Sequence, residues 1–253
     1  MRWTALAFLL AAPLRAADYE IQVYPSQTAP KGQTFVEIHS NFVPVGPRTD
    51  DSSLQPGDRA FHETLEVTHG FTDWFETGFY LFTSARGGRG WDWVGDHIRP
   101  RVAVPKSWGW PVGVSLSAEA GYWRRGYNEA EWDLELRPIV DWQNGPFYVS
   151  FNPAFERALA LHAEGSTSFQ FAPNLKLAWS ASKDLDLGVE YYGNLGPVEN
   201  FSPASRQEHT VLAAFDVKAW PAWELNIAGG PGLTPATDSA LIKCIVGRRF
   251  GGR

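Results

Sequence analysis

Apolar and polar side chains alternate along most of the chain. The clearest stretches lie at 36–42, 75–81, 112–123, 132–137, 147–156 and 169–179. Because successive side chains of a strand point to opposite faces of a sheet, this alternation predicts strands that each have one apolar and one polar face. The best helical pattern, at 155–162, covers only about two turns and lies in a predicted connection. The pattern therefore predicts an all-β fold.

Five tight-turn signals divide the predicted strands into hairpins. They are centred on Phe71, Trp108, Asn144, Ser182 and Pro221, so consecutive centres are 37, 36, 38 and 39 residues apart. Six further connections are more polar and more variable: 45–59, 84–96, 126–128, 157–166, 195–207 and 231–239. Together these eleven connections join twelve antiparallel strands. Short turns at one rim, longer loops at the other and both chain ends at the short-turn rim are typical of outer-membrane barrels.

A soluble sandwich or lipocalin-like barrel also has alternating strands, but its apolar face points inward. The tryptophans favour the membrane barrel. Besides Trp3 there are eleven, all beside predicted turns and loops: Trp74, Trp91, Trp93, Trp108, Trp110, Trp123, Trp132, Trp142, Trp179, Trp220 and Trp223. Indole rings prefer the membrane–water boundary, where an apolar body and a wet N–H are both satisfied. We therefore predict a closed antiparallel transmembrane β-barrel of twelve strands in the bacterial outer membrane.

The remaining parts of the chain are assigned by composition. Residues 1–16 have a short basic start, an apolar stretch and a small residue at Ala16, and predict a signal peptide. Residues 17–33 contain Pro25 and Pro30 and predict an extended periplasmic lead-in. The barrel is expected over 34–250, followed by a C-terminal extension at 251–253. The net charge is −6 without a basic cluster, which argues against a nucleic-acid partner.

Three stretches of the chain resemble a known family. They are Gly70–Tyr80 (GFTDWFETGFY), the hairpin with Arg99–Val102, Trp108–Gly113 and Glu119, and the terminal strand Leu241–Phe250 (LIKCIVGRRF). These segments resemble the outer-membrane porins or transporters of the meta-pathway of phenol degradation (MetA-like), over roughly residues 33 to 250. The resemblance implies a channel or transporter, and a C-terminal strand that the outer-membrane assembly machinery binds. Unlike the usual assembly signal, which ends on its aromatic residue, Phe250 is followed by Gly251–Arg253.

The polar faces of the strands predict a charged, partly constricted lumen for the passive passage of small solutes. The predicted pore-lining residues are Glu37, His39, Glu66, Glu76, Arg99, Arg101, Glu119, Arg125, Glu135, Arg137, Lys176, Glu190 and Lys218. A modest excess of acidic lumen residues predicts a weak preference for cations. We also expect Glu119 to lie between Arg101 and Arg137 in an Arg/Glu ladder. Aromatic residues on the polar faces offer either a track for aromatic solutes or part of a girdle: Trp74, Tyr80, Trp123, Tyr148 and Tyr192.

Other functions are less well supported by the sequence. An outer-membrane lipid-modifying hydrolase needs a nucleophile beside a base, but Ser40 falls on the opposite face from His39, so no enzyme is predicted. A structural, loop-anchoring barrel is a further alternative. Glu37 and His39 share a face that Glu66 or His62 can approach; a hydrogen-bonded network is preferred there to a metal site. We expect no cofactor, lipid of the outer membrane as surroundings, and a small solute that the sequence does not identify.

Overall fold

The computed structural model describes residues 19–46, 54–88, 90–163 and 165–252. The predicted signal peptide, residues 1–16, lies outside these ranges, as do parts of the first long loop. Among the residues described, no helix has the length and apolar character needed to cross a bilayer. In the same described ranges, helical structure consists of two single 3₁₀ turns, at Lys106–Trp108 and Ala204–Arg206.

Twelve strands occur in these residues and form one closed antiparallel barrel, which confirms the predicted fold. They are β1 (Thr34–Val45), β2 (Phe61–Thr72), β3 (Phe75–Arg86), β4 (Gly90–Ala103), β5 (Gly113–Trp123), β6 (Ala130–Asn144), β7 (Phe147–Leu161), β8 (Gln170–Ser182), β9 (Leu185–Asn194), β10 (Glu208–Val217), β11 (Trp223–Pro231) and β12 (Ala240–Phe250). Each strand pairs with its neighbours in sequence. β1 and β12 close the barrel, with Thr34 opposite Phe250 and Glu37 opposite Gly247.

The two rims of the barrel differ as the turn signals predict. One rim, the short-turn end, has the connections between β2 and β3, β4 and β5, β6 and β7, β8 and β9, and β10 and β11. It also holds the start of β1 and the end of β12. The opposite rim, the loop end, has the remaining six connections, of which those at 46–60 and 195–207 are the longest.

Two predicted connections are shorter than expected. β4 begins at Gly90, inside the predicted connection 84–96, and β7 continues to Leu161, inside the predicted connection 157–166. In β7, Ala158 is buried while Leu159 is 56% exposed, so the alternation continues through a stretch whose composition also suits a helix. Pairing with β6 and a lipid-facing leucine favour the strand.

The outer surface of the barrel is apolar and its interior is polar. Large apolar side chains are exposed along the outside, among them Ile38, Phe79, Ile98, Leu116, Leu177 and Val189. Their neighbours in sequence point inward and are buried, as Glu37, Arg99 and Ser117 illustrate. Strands that expose apolar groups to lipid must pair on both sides, and only a closed barrel satisfies this requirement.

The tryptophans follow this inside–outside division with one exception. Of the eleven tryptophans in the described residues, ten are exposed on the outer surface or at the rims. Trp123 instead points into the barrel and is 6% exposed. It stacks on Phe82 and packs edge-on against His97, so it belongs to the interior and not to the aromatic girdle.

Candidate functional site: the barrel lumen

Residues 19–33, called here the luminal segment, pass through the barrel interior as far as Ala29 and become exposed at residues 30–32. The prediction of a periplasmic lead-in is wrong for these residues. Tyr19, Val23, Tyr24 and Ala29 are each no more than 6% exposed, although the segment belongs to no strand. The physical reason is that polar side chains of the lumen supply hydrogen-bond partners for the extended backbone of the segment. Outside the barrel, water would have to supply them.

The luminal segment runs from the loop end to the short-turn end. At its start, the ring of Tyr19 packs against Trp123 and His62, which lie near the loop end of β5 and β2. Near its end, the amide of Ala29 donates to Glu76 Oε2 over 2.5 Å, close to the start of β3. Gly32, with φ of +74°, then turns the chain into β1.

Close packing fixes the part of the luminal segment near the short-turn end. A Cβ on Gly70 would lie 2.2 Å from the carbonyl oxygen of Ala29, so only glycine lets the segment lie so near β2. The amide of Gly32 donates to the Gly70 carbonyl over 2.7 Å. Gly70, the first residue of one of the porin-like segments, therefore also contacts and positions the luminal segment.

Side chains of the barrel wall take up the backbone groups of the segment. The amide of Asn152 binds Tyr24 on both sides: its Oδ1 accepts from the backbone N–H at 2.7 Å and its Nδ2 donates to the carbonyl at 3.1 Å. Ser150 donates to the same carbonyl over 2.7 Å. Asp141 accepts from both the N–H and the hydroxyl of Ser26 at 2.7 Å. The segment is thus bound to the wall by polar contacts that replace those of a β-ladder.

A buried arginine cluster lies beside the middle of the segment. Arg99 Nη2 is 2.7 Å from Glu66 Oε1 and 3.7 Å from Glu76 Oε1, and its guanidinium lies 4.3 Å from the ring centre of Tyr24. Arg101 pairs with Glu76 at 2.6 Å and donates to the carbonyls of Pro25 and Gln27. These arginines therefore bind the wall and the segment together.

The prediction that Glu119 pairs with Arg101 and Arg137 is wrong. Glu119 accepts from or donates to His97 Nδ1 at 2.7 Å, and Arg137 forms a two-pronged pair with Glu135, Nη2 to Oε2 being 2.6 Å. The register explains the difference. Glu119 lies directly opposite Glu135, whereas Ser117 lies in line with Arg101 and Arg137.

A second ion-pair cluster connects β8, β9 and β12. Glu190 Oε2 lies 2.6 Å from Lys243 Nζ and its Oε1 lies 3.1 Å from Lys176 Nζ. Lys243 also donates to the Ile21 carbonyl and to the Tyr192 hydroxyl, each over 2.9 Å. Lys243 is absent from the predicted pore-lining set, although its place on the polar face of the last strand could have identified it.

Eleven of the thirteen predicted pore-lining residues lie on strands and point into the barrel. The other two do not. Arg125 lies in the connection between β5 and β6, is exposed, and donates to the His162 carbonyl. Lys218 follows the end of β10 and is exposed, but it pairs with Asp186 at 2.5 Å and lines a cavity near the short-turn end. Of the aromatic residues predicted for the lumen, Trp74 is 48% exposed in the β2–β3 turn, because the tight turn reverses the alternation there.

Two cavities remain beside the luminal segment. The loop-end cavity measures about 200 Å³ and includes Glu119, Trp123 and Glu156 in its wall. The short-turn cavity measures about 320 Å³ and includes Tyr148 and Lys243. Gln22 lines both. The hydrogen-bonded group of Tyr192, Glu190 and Lys243 lies between the two spaces, since Tyr192 lines the first and its two partners line the second.

The loop-end cavity is strongly acidic. Its described lining includes the carboxylates of Glu20, Glu119, Asp133, Glu135, Glu156, Glu208 and Asp238. The arginines in the same lining are Arg86 and Arg137. Nearby, Tyr127 donates to Asp92 over 2.7 Å; burial and this carboxylate raise the pKa of Tyr127, so it stays a neutral donor. The short-turn cavity is more balanced, with three lysines and four carboxylates.

Solved outer-membrane barrels share this architecture. An outer-membrane channel of Pseudomonas putida F1 superposes with a TM-score of 0.62 at 12% identity, over 91% of this chain and 100% of the other. The NanC porin gives 0.55 at 9% identity, over 86% and 100%. The KdgM porin in complex with disordered oligogalacturonate gives 0.52 at 10% identity, over 87% and 99%.

The sequence itself matches no protein-family model and no curated protein. The resemblance to MetA-like porins is therefore carried by the quoted segments alone. At identities of 9–12%, the structural comparisons show a common fold. The chain has the outer-membrane β-barrel fold that these channel and porin proteins share.

Proposed function

We propose that this protein is an outer-membrane channel for the passive passage of small solutes. Its path consists of the two luminal cavities, with the luminal segment restricting the cross-section. The observation that carries the proposal is the arrangement of these cavities at opposite ends of the lumen, with Gln22 common to both. Twelve strands enclose less space than the sixteen of wide aqueous porins, which suits a narrow path.

The charge of the loop-end cavity supports a preference for cations. Carboxylates outnumber arginines in its described lining, and walls of low dielectric concentrate the resulting field. A ring of acidic side chains is a common device for cation selection. The proposed channel therefore conducts small inorganic or organic cations.

A catalytic barrel is less well supported. Ser40 is on the outer side of β1 while His39 is buried inside, so this serine and histidine do not meet. Among the described residues, the hydroxyls that hydrogen-bond to histidine rings belong to Thr34, with His69, and to Tyr191, with His209. His209 also contacts Gln207 Oε1 through Nε2 at 3.1 Å, but the hydroxyl beside it is the phenol of Tyr191 and not the serine of a hydrolase triad.

Charge removal at the loop end tests the proposed selectivity. We expect the double variant Asp238→Asn, Glu208→Gln to lower the cation-to-anion permeability ratio by roughly twofold, because two carboxylates of the loop-end cavity are lost. The measurement is the reversal potential in planar bilayers under a KCl gradient. The matched control, Asp184→Asn with Glu199→Gln, changes the same residue types in exposed connections outside the cavity. Equal reversal potentials for the two double variants would remove this cavity from the ion path.

Loosening the luminal segment tests its restricting role. Asn152→Ala leaves the backbone of Tyr24 without its paired amide, a loss of about 1–3 kcal/mol for a buried group. We expect larger and more frequent open events in single-channel records. The control Asn194→Ala removes a buried amide outside both cavities, one that accepts from the backbone N–H of Gly196 instead. If neither the parent protein nor the Asn152→Ala variant conducts ions, the result would favour the anchoring barrel over the channel.

A further inference from the structure

Three metal-binding side chains meet on the inner wall where β1 pairs with β2. Glu37 and His39 lie two residues apart on β1 and so share its inner face. Glu66 of β2 lies directly opposite Glu37. All three are buried, His39 completely. The sequence favours a hydrogen-bonded network for these residues. Glu66 belongs to one with Arg99 and Thr68, while His39 meets it through a 3.2 Å contact with Glu66.

The distances between the ligand atoms suit a single small cation. One ligand atom from each of the three side chains lies within 4.8 Å of the others, and His39 Nε2 is 3.2 Å from Glu66 Oε2. Bonds of about 2.0–2.1 Å to a tetrahedral zinc ion separate neighbouring ligand atoms by roughly 3.3 Å. The His39–Glu66 separation therefore needs almost no adjustment.

The polar atoms that face this point lack hydrogen-bond partners. Among the described residues, neither ring nitrogen of His39 is hydrogen-bonded, and Glu66 Oε2 has no hydrogen bond either. Their 3.2 Å contact is an ion pair only when the imidazole is protonated. Buried polar groups are nearly always paired, and an unpaired one costs about 1–3 kcal/mol. His39 is thus a buried imidazole whose ring nitrogens have no hydrogen bond among the described residues and are available to a cation.

Surrounding residues orient the three side chains. Glu66 Oε1 is held by Arg99 Nη2 at 2.7 Å and by the Thr68 hydroxyl at 2.6 Å, which leaves Oε2 directed at His39. Such outer partners are typical of carboxylates that bind metals. On the other side, a Cβ at position 247 would lie 2.8 Å from Glu37 Cγ, so Gly247 leaves room for that side chain.

The charge balance also favours a cation at Glu37. In the part of the chain that the structure describes, the ion pairs of Arg99 and Arg101 are with Glu66 and Glu76. Glu37 forms no ion pair with a lysine or arginine there. Glu224 of β11, which lines the short-turn cavity, approaches from across Gly247 and increases the negative charge.

We propose that Glu37, His39 and Glu66 bind a divalent transition-metal cation, with Zn²⁺ as the best-fitting probe. One imidazole and two carboxylates are a suitable ligand set for Zn²⁺, and a water molecule would complete four-coordination. The ion joins β1 to β2 beside the seam where β1 pairs with β12, and so stabilises the closed barrel.

The test measures Zn²⁺ binding to the folded, chelator-treated protein in detergent by competition with a fluorescent zinc indicator. We expect one Zn²⁺ per chain for the parent, and affinity lowered 10-fold or more in both His39→Gln and Glu37→Gln. The control His209→Gln changes a histidine at the loop end, bound to Tyr191 and Gln207, and should bind like the parent. Zinc X-ray absorption of the parent should show nitrogen and oxygen ligands with one imidazole.

Folding is checked separately for each variant by the heat-dependent mobility of the barrel on gels. If His39→Gln does not fold, Glu37→Gln, whose carboxyl group is replaced by an amide of the same shape, decides the question. Zinc binding that both variants retain at parental affinity would overturn the proposal. So would a parent that binds no Zn²⁺.

Discussion

Arg99→Met is expected to destabilise the folded barrel by about 3–5 kcal/mol, the usual cost of removing one partner of a buried ion pair. Arg99 is 1% exposed and neutralises Glu66 and, at a longer distance, Glu76. Methionine fills a similar volume but leaves both carboxylates buried without this charge. The variant also removes the cation from the face of Tyr24, which holds the luminal segment. The free energy of unfolding is measured in urea with the protein reconstituted in phospholipid.

The control for this variant is Arg124→Met. Arg124 pairs with Asp92 at 3.0 Å, but its side chain is 46% exposed, and exposed pairs contribute about 0–1 kcal/mol. Adding Glu66→Gln to Arg99→Met should recover part of the loss, because one uncompensated charge disappears. If Arg99→Met costs no more than Arg124→Met, then water enters the lumen freely enough to solvate both carboxylates.

The second large effect is expected on the lipid side of the wall. Leu116 is 46% exposed on the outer face of β5, where it is the fourth residue of the strand and lies between Val102 and Pro138 of the neighbouring strands. Leu116→Arg places a charge in the hydrocarbon region and should cost about 2–4 kcal/mol. The result is read from unfolding in lipid vesicles.

A leucine outside the apolar belt provides the matched control. Leu233 is 59% exposed in the connection between β11 and β12, so Leu233→Arg makes the same change near the aqueous boundary. We expect a cost of about 0–1 kcal/mol there. Comparable losses at positions 116 and 233 would contradict the assignment of the outer surface. Ser117 is unsuitable as a control, because it is fully buried and an arginine would overfill the lumen.

The strand count and the inside–outside division could be predicted because both are local properties. Alternation assigns each side chain to a face, and tight turns limit each hairpin, without knowledge of which strands touch. The end of β7 was predicted too early, because residues 155–162 have a pattern that suits a helix as well as a strand. Trp123 carries two signals, since its type suggests the girdle while its place on the polar face of β5 predicts the interior position that the structure shows.

The pairing of lumen charges could not be predicted because it depends on register and on a segment outside the strands. A shift of two residues decides whether Glu119 meets an arginine or Glu135, and the sequence does not define that shift. The luminal segment also takes donors from the wall, as Arg101 does by binding Pro25 and Gln27. A short alternation of Tyr19, Ile21 and Val23 with polar residues was the available sign that these residues are not solvated.

The contact between Lys243 and Ile21 has a consequence for how the protein is made. These residues are separated by 222 positions, and one belongs to the last strand while the other belongs to the luminal segment. Such a contact forms only after the whole chain has been delivered, and pairings of long sequence separation are slow. The segment is also touched by β4 and β7, on other sides of the lumen. Pairing of β12 with β1 is therefore the step that encloses the luminal segment. Before that step, the early strands fold as an open sheet without the segment's contacts to β12.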